Sequence, residues 1–196
     1  MTPSGGGAFS RRDVLVSGVA LPGLIRGATS GFHGPMARRI DVGDRQRREV
    51  AITFDAAYDA IGMDRVLDIL KAHGIVGSFA LTGDWAIRNP VLTRRIMTDG
   101  HHLISHSMTH RSFTTGGPGG TALPRLRRWQ ELDRSEAAFQ QVLGVGVKPW
   151  FRPPYLSCDW TVLRDCALRG WDMVAMDIID GLGFRQVPWQ RIRDRC

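Results

Sequence analysis

From Glu49 onward, short β-favouring runs alternate with segments whose apolar residues recur at helical spacing. Val50-Ala51-Ile52-Thr53-Phe54 reads as a first strand that ends in Asp55. Met63, Val66, Leu67 and Leu70 then fall on one face of a helix that closes at Gly74. Residues 75–81 predict a second strand. Residues 90–97 predict a helix opened by a proline in its first turn and stopped near Gly100. His102-Leu103-Ile104-Ser105 is the third strand. A Gly-rich loop over 114–121 leads into a long amphipathic helix over 124–143. A strand over 147–151, a helix over 161–168 and a fifth strand over 172–179 complete the pattern. Strand-helix alternation predicts parallel βα units, and so an α/β barrel or an open α/β sheet. No repeat recurs at a fixed period.

Residues 1–48 have a different texture. Ser10-Arg11-Arg12-Asp13-Val14-Leu15 precedes a modest apolar stretch to Ile25, then Arg26 and small residues. That order predicts a twin-arginine export signal over residues 1–30, with a destination in the periplasm, the cell wall or the extracellular space. Residues 31–48, with Arg38, Arg39, Arg45, Arg47 and Arg48, read as a polar linker to a folded domain over 49–196. The same stretch explains most of the charge. Of 26 basic residues 8 precede Glu49, against 3 of the 19 acidic ones, so the formal +7 sits largely outside the predicted domain. A nucleic-acid binder would carry a clustered basic face with interleaved aromatics. The nearest run, Arg125, Arg127, Arg128 and Trp129, reads as a solvated helix face. No nucleic-acid partner is therefore expected. No apolar run reaches the roughly 20 residues that span a bilayer, so no membrane span is expected either.

Several chemistries lack their residues. Three cysteines, Cys158, Cys166 and Cys196, are an odd number for a disulfide framework and read as buried small hydrophobes. Cys158 has no histidine after it and no basic neighbour close in sequence to activate its thiol. The chain has no Gly-x-Ser-x-Gly elbow, no phosphate-binding Gly-x-x-x-x-Gly-Lys loop and no Gly-x-Gly-x-x-Gly turn.

Instead, the reactive side chains gather where α/β folds place their chemistry, at the carboxyl ends of strands. Asp55 ends the first strand, His106 and His110 follow the third, Arg152 follows the fourth and Asp180 the fifth. Two imidazoles in a His-x-x-x-His pair can face one metal ion, although the same pair also reads as two partly exposed loop histidines. Asp59 or Asp64 suits the cap of the following helix better than Asp55, which leaves Asp55 free. In Phe151-Arg152-Pro153-Pro154-Tyr155 two prolines fix the backbone around an arginine and a free N–H, an arrangement suited to an oxyanion or a carboxylate. His101 and His102 point apart along a strand and read as structural.

Taken in order, these segments resemble the polysaccharide deacetylases, carbohydrate esterase family 4, over residues 50–184. The family's Thr-Phe-Asp-Asp-Gly stands here as Thr53-Phe54-Asp55-Ala56-Ala57. Its His-Ser/Thr-x-x-His is intact as His106-Ser107-Met108-Thr109-His110. Its Arg-x-Pro-Tyr/Phe-Gly stands as Arg152-Pro153-Pro154-Tyr155-Leu156, and its Asp-x-x-Asp-Trp as Asp180-Gly181-Leu182-Gly183-Phe184. The resemblance implies a distorted, incomplete (β/α) barrel of the NodB-homology type. It also implies metal-assisted removal of N-acetyl groups from a GlcNAc-containing polysaccharide, peptidoglycan ahead of chitin-like chains. In that scheme His106 and His110 hold a divalent ion, zinc first. Asp55 is the general base, Arg152 braces it in its ionised form, and the backbone N–H of Tyr155 meets the oxyanion. Asp180 orients a late histidine acid.

Two positions depart from the family. Ala56 replaces its carboxylate metal ligand, with Asp59 the nearest acid that could reach back. No histidine follows His110, so the expected acid is missing and the domain reads as truncated at its carboxyl end. These departures keep two other readings open: a catalytically impaired relic of the fold that only binds carbohydrate, and an O-acetyl xylan esterase built on the same residues. Trp85, Trp150 and Trp160 are candidates to stack on sugar rings, with core packing as the alternative.

Overall fold

In the computed structural model, residues 34–115 and 120–177 are described. Twelve elements run in order along them: β1 (Arg39–Ile40), β2 (Thr53–Ala56), α1 (Met63–Ala72), β3 (Ser78–Leu81), α2 (Gly83–Arg88), α3 (Pro90–Thr98), β4 (His102–Ser105), α4 (Arg125–Leu143), β5 (Trp150–Phe151), a 3-10 turn (Pro154–Leu156), α5 (Trp160–Leu168) and β6 (Asp172–Val174). The six strands form one parallel sheet in the order β1-β6-β5-β4-β3-β2. Among the described residues the sheet is not closed, since β1 and β2 end it on opposite sides. This is the α/β architecture expected from the alternation, in its open, incomplete-barrel form. No described helix is long and apolar enough to cross a membrane.

Burial follows the sequence pattern. Leu67 and Leu70 of α1 are buried, with Met63 and Val66 packed beside them. Phe79, Leu81, Trp85, Ile96, Leu132, Phe139, Phe151 and Trp171 form the centre of the core. The entries of α2, α3 and α5 have a local cause. Thr82 caps α2 by accepting from the Trp85 N–H at 3.1 Å, and Asp159 caps α5 by accepting from the Thr161 and Val162 N–H groups at 2.9 and 3.0 Å. Pro90 opens α3. Helix α1 begins at Gly62 with no side-chain cap. Asp59, an expected cap, closes the preceding turn by accepting from the Ile61 N–H at 3.0 Å.

Several boundaries differ from expectation; the fourth strand is Trp150–Phe151 rather than 147–151, and the fifth ends at Val174, with 175–177 outside it. The stretch expected as a linker over 31–48 supplies β1, which pairs in parallel with β6 at the edge of the sheet. Arg38 anchors it by a two-pronged contact with Asp172, at 2.9 Å from Nε and 2.7 Å from Nη2. A two-residue strand flanked by charge has no alternation of its own, so only its pairing creates it. The first strand is Thr53–Ala56 rather than 50–54, because Val50 stands 88% exposed ahead of the sheet. The second is Ser78–Leu81 rather than 75–81, because the Ile75 N–H is still engaged with the Leu70 carbonyl at the end of α1. The expected signal over 1–30, residues 178–179 of the fifth strand, Asp180, Cys196 and the Gly-rich 116–119 lie outside the described residues. Cys166 is buried as expected, whereas Cys158 is half-buried just before α5. Burial pushes both thiols up, that of Cys158 to about 11, so neither is a poised nucleophile.

Candidate functional site

Three strands deliver the site. β2 ends at Asp55 and Ala56, β4 runs into the turn 106–110, and β5 runs into Arg152. The Arg152 N–H bonds the Ser105 carbonyl at 2.8 Å, which continues the ladder one residue past β5 and fixes the depth of the arginine. Its side chain is fully buried, and every contact it makes is to an acceptor. Nη1 meets Asp55 Oδ1 at 2.6 Å and Thr53 Oγ1 at 3.1 Å, while Nε and Nη2 donate to the Val174 and Ala175 carbonyls at 3.2 Å each. A buried cation with four acceptors is held rigidly, and it holds Asp55 in turn. The Asp55 carboxylate remains 39% exposed, with Oδ2 3.7 Å from His106 Nε2.

The histidine segment is a strained turn rather than a helix. Ser107 and His110 both have positive φ, 65° and 62°. Three groups hold them there. The N–H groups of Gly83 and Asp84, opening α2, bond the Ser107 and Met108 carbonyls at 2.9 and 3.1 Å. Ser107 Oγ accepts from the His110 N–H at 3.2 Å. Glu131 of α4, buried, accepts from the Met108 and Thr109 N–H groups at 2.9 and 2.7 Å and from the Thr109 hydroxyl at 2.8 Å. Glu131→Ala is therefore expected to lower unfolding stability by about 2–4 kcal/mol, since bonds to a charged acceptor and a buried N–H are lost together. Glu131→Gln, able to reproduce all three contacts, should cost roughly 1 kcal/mol. Urea midpoints of the two variants check this; equal stabilities would show that Glu131 does not support the turn.

The two imidazoles meet tip to tip. His106, 2% exposed, donates from Nδ1 to the Arg152 carbonyl at 2.8 Å, which leaves its Nε2 as a lone pair. His110 Nε2 lies 3.2 Å from that atom. Burial pushes both imidazoles down, that of His110 to about 4 with the neighbouring His106 adding to the effect, so both are neutral near pH 7. Behind His110, Nδ1 faces the Tyr58 hydroxyl at 3.1 Å, and that hydroxyl lies 3.4 Å from the hydroxyl of Tyr155. The loop that carries Tyr58 is clamped from α2. Arg88 donates to the Tyr58 and Ala57 carbonyls at 2.7 and 3.0 Å, and Trp85 Nε1 to the Asp59 carbonyl at 2.6 Å. This loop lines a cleft of about 350 Å³ with Asp55, Ala56, Tyr58 and Asp59 among its walls.

Does the donor set suit a divalent ion? Two imidazole nitrogens on one tetrahedral zinc stand about 3.3 Å apart, given Zn–N of about 2.0–2.1 Å, close to the separation found here. The neutral rings and the outward bond from His106 Nδ1 are also what such a ligand pair requires. The third ligand is not preformed: among the described residues no cluster of three His, Cys, Asp or Glu side chains converges on one point. Ala56 is a methyl group in the core, and Asp59 Oδ1 is engaged with Ile61. The pair fits an ion, with water or substrate left to complete its shell.

Of the residues singled out from sequence, Asp55, His106, His110, Arg152 and Tyr155 are brought together. Asp180 falls outside the described residues. His101 is buried, and its Nδ1 accepts from the Gly77 N–H at 3.3 Å, a structural role. Trp85 is fully buried and so unavailable for stacking, whereas Trp160 is 59% exposed. Leu156 sits at φ 52°, which explains why glycine suits that position in the motif. Tyr58 and Glu131 were not anticipated. A glutamate among the buried positions of α4 was the one visible sign of the second; the first has no sequence signal beyond standing three residues after Asp55.

Comparison with known proteins identifies the family and the fold. The profile of the polysaccharide deacetylase family matches residues 42–174, more than half of the chain. A chitin deacetylase of Colletotrichum lindemuthianum is 31% identical over 168 residues, covering 80% of this chain and 63% of that protein. The peptidoglycan-N-acetylmuramic acid deacetylase PdaA of Bacillus subtilis is 27% identical over 133 residues, covering 68% and 48%. The chain thus spans about half the length of that bacterial relative. Among solved structures, a carbohydrate esterase family 4 pseudoenzyme from Bacillus anthracis superposes with a TM-score of 0.70 at 21% identity, over 82% of this chain and 55% of that one.

Proposed function

Because the chain belongs to the polysaccharide deacetylase family, we propose that it is a metal-dependent hydrolase that removes N-acetyl groups from a GlcNAc-containing polysaccharide, peptidoglycan ahead of chitin. The observation that carries this reading is the Asp55–Arg152 pair at 2.6 Å, set beside two facing imidazole nitrogens. The acid has one oxygen on the arginine and the other turned towards His106 and the cleft. His106 and His110 would hold the ion, with zinc favoured by the nitrogen donors; once bound it would polarise the acetyl carbonyl and acidify a water. Asp55 takes a proton from the attacking water as the C–O bond forms, and that proton passes to the leaving nitrogen as the C–N bond breaks, giving acetate and an amine. Arg152 keeps Asp55 aimed throughout. The Tyr155 backbone N–H would donate to the oxyanion, and Asp180 keeps the role of orienting a late histidine acid, a partner that no residue after His110 supplies in this sequence. The paired arginines at Arg11 and Arg12 support export by the twin-arginine machinery, which would bring the enzyme to a polymer outside the cytoplasm.

A second reading is favoured by one specific observation. Among the described residues, Ala56 leaves the ion with two protein ligands, His106 and His110. A non-catalytic carbohydrate-binding relic would show the same fold. Acetate release by the full chain from N-acetylated peptidoglycan and from chitin oligomers separates the two. The expected result is release that stops on chelation and returns with added zinc. A folded chain that releases none and binds no zinc would leave the relic standing, and release from O-acetyl xylan alone would favour the esterase.

A further inference from the structure

His110 is enclosed by three rings: His106 at 4.9 Å between centroids, Tyr155 at 4.7 Å and Tyr58 at 5.3 Å, all edge-on. Its Nε2 faces His106, so its Nδ1 needs a partner whose character matches whichever tautomer Nε2 adopts. A carbonyl or carboxylate accepts only. A phenol both accepts and donates. With no ion bound, the 3.2 Å separation between the two Nε2 atoms is a hydrogen bond: His106 Nε2 is a lone pair, so His110 must carry its proton on Nε2 and accept at Nδ1 from the Tyr58 O–H. To turn a lone pair on Nε2 towards an ion, His110 must carry the proton on Nδ1 and donate it to the Tyr58 oxygen. The displaced Tyr58 O–H then has an acceptor at 3.4 Å in the Tyr155 hydroxyl.

We infer that Tyr58 is a positioning residue for His110, its hydroxyl serving the ring in both tautomers so that Nε2 can change from donor to ligand without the ring moving. The inference rests on the metal-dependent reading above. The anchoring of the loop supports it, because Arg88 and Trp85 fix the backbone carbonyls of Tyr58 and of the residues on both sides of it. Tyr58 is 67% exposed, so water can replace part of what its hydroxyl does. The loss on removal is accordingly set near the lower end of what outer partners of metal-binding histidines contribute.

The test is zinc titration of the full chain and of Tyr58→Phe, each checked for folding by circular dichroism. The variant is expected to bind zinc about tenfold more weakly. Equal affinity in the two proteins would overturn the inference. If the unmodified chain binds no zinc, the metal-dependent reading fails on its own account, and the metal-free protein still decides the role of Tyr58. There the ¹⁵N resonance of His110 Nδ1 should shift in Tyr58→Phe as its donor is lost, and an unchanged resonance would show that Tyr58 does not hold the ring.

Discussion

Asp55→Asn should lower the rate constant for acetate release by about 10³-fold, within the range that general-base catalysis usually supplies. The side chains are nearly the same size, and the amide oxygen can still accept from Arg152 Nη1, so the geometry at 2.6 Å is largely preserved. What disappears is the capacity to take a proton. The substitution also leaves the fully buried Arg152 without its counter-charge, which in a pair lacking other partners costs about 3–5 kcal/mol. Here Thr53 Oγ1 and the Val174 and Ala175 carbonyls remain, so a smaller loss of roughly 1–3 kcal/mol is expected and the domain stays folded. The two effects separate by measurement. The catalytic loss should fall on kcat with little change in KM, and zinc binding should persist because both imidazoles are untouched. A variant that keeps near-normal kcat would remove Asp55 from the mechanism, and with it the central step of the proposed function.

How much of this was legible beforehand depends on whether a feature is local or made by pairing. Strand β4 and helix α3 were readable because their signals lie within their own residues: an apolar run bounded by Gly100, and a proline at a first turn followed by apolar spacing. Strand β1 was not, since two residues become a strand only against Met173 and Val174. Helix α2 was missed because six residues are too few to display a period, although Thr82 and Asp84 are an N-terminal signature in retrospect. The same division runs through the site. Asp55, His106 and Arg152 could be singled out because each ends a strand, and parallel topology carries strand ends to one face of the sheet. Glu131 and Tyr58 act across 22 and 52 residues of chain, and no spacing rule connects them to the turn and the histidine they hold. The candidate site residues at strand ends could be read from sequence; the structure adds those that keep them in place.

The departure at Ala56 makes the second large effect a gain. Ala56→Asp should raise zinc affinity by about 100-fold, taking the roughly 10–16 kcal/mol of a four-ligand zinc site as shared evenly among its ligands. The position allows it: Ala56 ends β2 on the wall of the same cleft as Asp55, and its carbonyl is already fixed by the Thr82 N–H at 3.1 Å. The added carboxylate has a cost. Ala56 is only 8% exposed and packs in the core, so without an ion the new charge is poorly solvated and the melting temperature should fall by a few degrees. With zinc present the order should reverse, because an ion bound by the native state alone stabilises it in proportion to the logarithm of its affinity. Opposite shifts in the two conditions are a signature that neither a packing defect nor a general surface effect can imitate. Acetate release should rise in the same variant wherever the ion limits it. If Ala56→Asp lowers the melting temperature equally with and without zinc, the cleft does not gather metal ligands around His106 and His110, and the site must work, or have ceased to work, on other terms.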